Sequence, residues 1–171
     1  ALHEQRLIEN TLVAQIGGMV NQQYKGLLET SYGQGKGEQW RWVNEYVWAG
    51  KFGLRGFDVN SGKVTWESDK FKARITRMAI DNGNVYAASA KYFYSIDAAS
   101  GKENYQVDFI ATIVCKHKFS FDIGEAVSII GDKGVTAFNK KDGTALYSSE
   151  KIKKIASYYV KGKKVYLQNE K

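Results

Sequence analysis

The sequence predicts an all-β protein of β-propeller type, built from four-stranded antiparallel blades in about three repeats plus a partial fourth. An eleven-residue pattern, GFDVNSGKVTW from Gly56 to Trp66, recurs as SIDAASGKENY from Ser95 to Tyr105 and as AFNKKDGTALY from Ala137 to Tyr147. Asp58, Asp97 and Asn139 are therefore spaced by 39 and 42 residues, the period of a repeat architecture. A second series, Val47, Val85, Val127 and Val165, advances in steps of 38, 42 and 38 residues. Composition agrees: with no Pro, 17 Gly and 13% aromatic residues, the chain suits short strands joined by glycine turns.

The chemistry of one copy explains its reuse. An apolar strand residue (Phe57, Ile96 or Phe138) precedes an Asp or Asn whose side chain caps the amides that follow. Gly62, Gly101 or Gly143 then supplies the positive φ of a tight turn. Beyond it, alternation brings Trp66, Tyr105 or Tyr147 to a buried face of the returning strand.

Taken in order, the chain divides into an N-terminal segment, 1–37, and the repeats, 38–171, at about 38–69, 73–109, 112–149 and a partial 154–171. In the first segment Leu7, Ile8, Leu12, Ile16, Met19, Val20, Leu27 and Leu28 have helical spacing, which fits an amphipathic helix from about Glu4 to Leu28. Gly17, Gly18 and Gly26 fit two strands instead, TLVAQIG and QYKGLLET, which would complete a blade begun at the other end of the chain. The residues leave both open. The glycines of SYGQGKG, 31–37, read as a surface loop rather than a phosphate cradle, because a strand and not a helix follows. From Glu38 the runs EQWRWV, EYVWAG, LRGFDV and KVTWES make a first cycle of four strands, and two further cycles follow. KIASYYV and KVYLQ begin a fourth. Closure by the two chain ends would give a four-bladed ring; a helical N-terminus would leave an open arc, and the half-blade at 154–171 favours the arc, continued by a larger propeller or by self-assembly.

Charge and reactive residues narrow the function classes. Of the net charge of +7, the stretch 151–171 supplies most, with seven Lys against Glu170. Its KIKKIASYYVKGKK reads as a lysine-guarded edge strand rather than a nucleic-acid or membrane patch. No apolar run is long enough for a membrane-spanning helix. The single cysteine, Cys115, excludes an internal disulfide. Cys115 and His117 share a strand face, but two ligands fall short of a zinc site. His117, Ser120 and Asp122 lie too close along one extended segment to converge as a triad, and His3 sits near the terminus. Asp58, Asn60 and Gly62 have the residue types that open a calcium loop, yet the glycine comes one place early and Asp69 misses the bidentate position. Tyr92, Tyr94, Tyr158 and Tyr159 are candidates for an exposed binding surface, of the kind that stacks on carbohydrate. No residues are assigned to catalysis, a cofactor or a metal.

The pattern in GFDVNSGKVTW resembles the tryptophan-docking repeat of the pyrroloquinoline quinone-like β-propellers: small residue, x, Asp, two residues, Thr, Gly, Lys, two residues, Trp. Gly56, Asp58, Ser61, Gly62, Lys63 and Trp66 take those places; Asp97, Gly101 and Lys102, then Ala137 and Gly143, keep parts of it. The resemblance covers roughly 38–171 and implies that Trp66, Tyr105 and Tyr147 are structural staples docked on an adjacent blade. The family includes quinone-dependent dehydrogenases, an outer-membrane assembly lipoprotein scaffold and sensor domains. Four blades at most and one cysteine depart from the dehydrogenases, which have about eight blades, a vicinal cysteine pair and calcium ligands. The resemblance thus implies a non-enzymatic, periplasmic or secreted scaffold with a protein partner, ahead of a carbohydrate or small-ligand binder and of a quinone-dependent dehydrogenase fragment.

Overall fold

A computed structural model describes residues 2–32, 35–68, 71, 75–89, 92–108, 119–131, 134–149, 152 and 155–169. The described residues form strands and turns, with no helix. The N-terminal strands are β1 (Leu2–Ile8), β2 (Thr11–Ile16) and β3 (Met19–Tyr32), so the amphipathic helix over Glu4 to Leu28 is not formed. The physical reason is local: Gly17 and Gly18 have φ of 87° and 75°, which break a helix and turn the chain between β2 and β3.

The first blade has the order β1-β2-β5-β6, with β5 at Gly53–Asp58 and β6 at Val64–Glu67. Between β2 and β5 the chain leaves the blade as a long hairpin of β3 and β4 (Gly35–Trp48), 14 residues each, paired from Met19↔Trp48 to Tyr32↔Gly35. Three sequence readings change accordingly. EQWRWV and EYVWAG are one strand of this hairpin, not the first two strands of a blade. SYGQGKG is largely paired strand at the hairpin's end, not a loop. TLVAQIG pairs with β1 and β5 rather than with QYKGLLET or with the C-terminal strands, so the N-terminus completes the first blade and not the last.

The second blade runs β7 (Ala79–Asp81), β8 (Asn84–Ala88), β9 (Tyr92–Asp97) and β10 (Glu103–Asp108). The third runs β11 (Phe119–Ile123), β12 (Ala126–Ile130), β13 (Val135–Asn139) and β14 (Ala145–Ser148). A two-stranded sheet of β15 (Ile155–Lys161) and β16 (Lys164–Asn169) follows. These are the all-β, antiparallel blades that the repeats predict.

The core lies between blades rather than inside one. Ile8, Val13 and Leu54 of the first blade meet Val85, Ala87 and Tyr94 of the second, with Phe71, Ile75 and Met78 between them. Ala88 and Phe93 meet Val127, Ile129 and Phe138, and the Phe93 and Phe138 rings stack at 4.4 Å. Ile130 and Val135 meet Ile155. A middle blade is thus covered on both faces, which is why β8 and β9 are almost continuously buried while outer β10 alternates.

The repeated motif joins one blade to the next. Trp66 crosses from β6 so that its Nε1 donates to the Ala98 carbonyl at 2.9 Å, and its ring lies on Gly101. A Cβ on Gly101 would stand 2.4 Å from that ring, and one on Gly56, opposite Trp66 in its own blade, 2.2 Å from its Nε1. Tyr105 repeats the arrangement: its ring lies on Gly143 and its hydroxyl donates to the Lys140 carbonyl at 2.9 Å. Tyr147 does not, which corrects the expectation of a third staple. It is 61% exposed where Trp66 is 9%, because the receiving turn lies between the third and fourth strands of a blade and the last described sheet has two.

Substitution at two glycines separates the docking from the turn. Gly62 (φ 68°) has open space around it, so Gly62→Ala costs the left-handed strain, about 1–2 kcal/mol. Gly101→Ala (φ 72°) adds the clash with the Trp66 ring, roughly 1–3 kcal/mol more, and Trp66→Ala costs about 3–5 kcal/mol. Urea unfolding of the three variants is expected to rank them in that order; equal costs at Gly62 and Gly101 would mean that docking contributes nothing.

Candidate functional site

The repeated turns are closed by their own side chains. Asp58 Oδ1 accepts from the Ser61 amide and hydroxyl, each at 2.7 Å, and Gly62 N donates to the Asp58 carbonyl at 2.8 Å. Asp97 Oδ1 accepts from the Ser100 amide at 2.7 Å and its hydroxyl at 2.6 Å. The Ser61 and Ser100 hydroxyls, then their amides, hold the two carboxyls below the usual carboxylate range. In the third turn the Asn139 side chain accepts through Oδ1 from the Lys141 amide, and the carboxylate moves to Asp142, which takes the Thr144 amide and hydroxyl. The resemblance of Asp58, Asn60 and Gly62 to a calcium loop thus resolves, in geometry, into turn capping.

The four tyrosines do not make one surface. Tyr94 is buried, edge-on to Phe71 at 4.8 Å and hydrogen-bonded to Ser89 at 3.2 Å; burial pushes its hydroxyl pKa up. Tyr92 packs beside it against the first core cluster, and Tyr158 against the third. Tyr159 alone is well exposed, its ring stacked on Tyr166 at 4.6 Å. Reading all four as surface fails because a blade covered on both faces buries consecutive residues of a strand.

At the turn end of the second and third blades lies a polar groove of about 630 Å³. Asn104 Nδ2 donates to Asn84 Oδ1 at 2.8 Å and to Ser95 Oγ at 3.2 Å on one side. Lys140 Nζ meets Asp81 Oδ2 at 2.8 Å on the other, so the charge there is internally neutralised. Glu125 and Lys141 line its mouth.

The opposite end of the first blade carries the feature that the sequence reading missed. Along β4, Trp40, Trp42, Asn44, Tyr46 and Trp48 fall on one face by alternation, and the four aromatic residues are 60–69% exposed. Tyr24, opposite Val43, lies on the other face. The hairpin is tied at its base: Gly18 N donates to the Gly50 carbonyl at 2.7 Å and Ala49 N to the Gly18 carbonyl at 2.9 Å. The signal is present in QWRWVNEYVW, ten residues in period two with no glycine, which the division into EQWRWV and EYVWAG interrupts at Asn44.

Cys115 and His117 lie outside the described residues. Ser120 and Asp122 sit in β11 opposite Ile129 and Val127, and His3 in β1. Lys161, Lys163 and Lys164 are exposed at the turn between β15 and β16. Among the described residues no three His, Cys, Asp or Glu gather, and no helix is long and apolar enough to cross a membrane.

Comparison with known proteins agrees with the motif. Residues 50–170 match the family model of the outer membrane protein assembly factor BamB. The crystal structure of BamB from Moraxella catarrhalis superposes with a TM-score of 0.61 at 12% identity, over 96% of this chain and 39% of that one. The chain therefore spans about two fifths of that protein's length. The computationally designed Ika4 protein superposes with a TM-score of 0.57 at 10% identity, over 99% of this chain and 91% of that one. At these identities the likeness is one of fold. No curated protein sequence matches the chain.

The capped turns make stability acid-sensitive. Asp58 and Asp97 have pKa values below the usual 3.8, so their stabilisation is complete above that value and is lost as pH falls through the depressed one. Urea midpoints are expected to fall below about pH 4, and Asp97→Asn to flatten that fall while lowering the midpoint at pH 7. An unchanged acid slope in the variant would remove the turn carboxylate as its source.

Proposed function

The chain belongs to the family of the outer membrane protein assembly factor BamB, and on that premise we propose that it is a non-enzymatic protein-interaction scaffold, acting in the periplasm or outside the cell. The observation that carries the reading is the row of exposed aromatic residues on β4. Tyr and Trp are the side chains that anchor protein interfaces, because they bring large rigid area at little entropic cost. The blades supply a stiff base from which that row projects.

A second reading, binding of a small hydroxyl-rich ligand such as a sugar, has the polar groove in its favour. There, Asn84, Asn104 and Glu125 offer donors and acceptors to an uncharged polar molecule. It is the weaker reading, because Asn104 and Lys140 already have partners within the protein.

Chemical cross-linking of the tagged chain in a periplasmic extract of its source organism is expected to trap a discrete protein partner, with the complex surviving a chelator. Reduction of a dye by the chain loaded with pyrroloquinoline quinone and calcium, given an alcohol or a sugar, would overturn the scaffold reading. For the groove, sugar binding lost in Asn104→Ala and kept in the aromatic variants would promote the second reading over the first.

A further inference from the structure

We infer that the free edge of β4 is a docking site for an extended, uncharged strand of a partner protein, carrying an apolar side chain at every second position. This deepens the scaffold reading and rests on it.

Four observations lead to the strand. First, β3 and β4 form a sheet of two strands, paired with each other and with no third strand among the described residues. A lone ribbon of this kind is marginal in water, and a third strand is the ordinary way to stabilise it. Second, Trp40, Trp42, Tyr46 and Trp48 stand in one row on one face of β4, while the exposed Tyr24 of β3 lies on the other face. A strand added to the outer edge of β4 places its own alternate side chains directly beside Trp40, Trp42, Tyr46 and Trp48, while its backbone satisfies the edge N–H and C=O groups. Third, the four rings present on the order of 500 Å² of aromatic surface. That equals the largest patch of a typical monomer and is most of the roughly 800 Å² per partner of a standard interface. Fourth, the two strands carry Lys25, Lys36 and Arg41 against Glu29, Glu38 and Glu45, so no net charge attracts an anionic surface. An apolar, alternating segment is the complement to such an edge. Trp40 to Trp48 spans roughly 27 Å, which nine residues of extended chain match.

The test is a blocked nine-residue peptide alternating Val or Tyr with Thr, titrated into the full chain and followed by tryptophan emission and calorimetry. Saturable binding with a blue shift is expected as Trp40, Trp42 and Trp48 leave water. The double variant Trp40→Ala, Trp42→Ala is expected to weaken binding at least ~30-fold, the loss of a hot spot, and Tyr159→Ala to leave it unchanged. Its urea midpoint, unchanged from the parent, shows that the blades are intact. A peptide N-methylated at alternate residues, on its edge-facing amides, is expected not to bind; equal binding would overturn edge pairing. Dimerisation of the parent chain abolished by the double variant, or the same blue shift with neutral lipid vesicles in place of peptide, would overturn the choice of occupant. If the peptide fails while the double variant still cross-links the partner, this inference falls and the scaffold reading stands.

Discussion

The packing of an aromatic ring from one blade onto a glycine of the next is the constraint from which the rest of the structure follows. A four-stranded blade has two apolar faces and cannot bury either alone, so it needs a neighbour in a fixed register. Trp66 on Gly101 and Tyr105 on Gly143 set that register twice. Each contact works only because the receiving residue has no Cβ and a positive φ, φ being 72° at Gly101 and 75° at Gly143. The carboxylate four residues earlier, or its Asn139 counterpart, holds the turn in place beneath the ring. Burial then pushes the Tyr105 hydroxyl pKa upward, keeping it a neutral donor to the third-blade turn.

Because the register is fixed at the turn end of the blades, the two ends of the blades differ in character. At the turn end, loops of the second and third blades meet and enclose the polar groove. At the other end the connection from the second to the third strand of a blade is free to vary, and in the first blade it becomes the β3–β4 hairpin. The hairpin leaves without disturbing the sheet: β2 and β5 pair without a break from Thr11↔Asp58 to Ile16↔Gly53. Gly17 and Gly18 allow the close exit, since a Cβ on either would meet Lys51 or the Phe52 ring at 2.1–2.2 Å. A rigid base and a projecting aromatic row are thus products of the same architecture.

The hairpin also shows how a periodic signal misleads. Val47 is in step with Val85, Val127 and Val165, yet it lies in β4 and belongs to no blade. The residue facing Phe57 as Val85 faces Ile96 and Val127 faces Phe138 is Leu12, far upstream. An insertion of nearly one repeat length places an unrelated valine in phase. The tyrosines mislead for a different reason. Alternation separates inside from outside when a sheet has one dry face; Tyr94 and its neighbour Phe93 are both buried because the second blade has two.

What the sequence determined by itself is local and repeated: antiparallel strands, the capped turns at Asp58, Asp97 and Asn139, the glycines that need positive φ, and the period that makes blades. These are legible because turn chemistry depends on residues within five positions of one another. Tertiary structure alone decided which strands share a blade, that β1 and β2 rather than the start of β4 complete the first, that Tyr147 is open while Tyr105 is docked, and that three of the four tryptophans face solvent. Those outcomes depend on which surfaces meet at long range, and an aromatic residue on a strand has the same sequence signature whether its partner is a neighbouring blade, water or another protein.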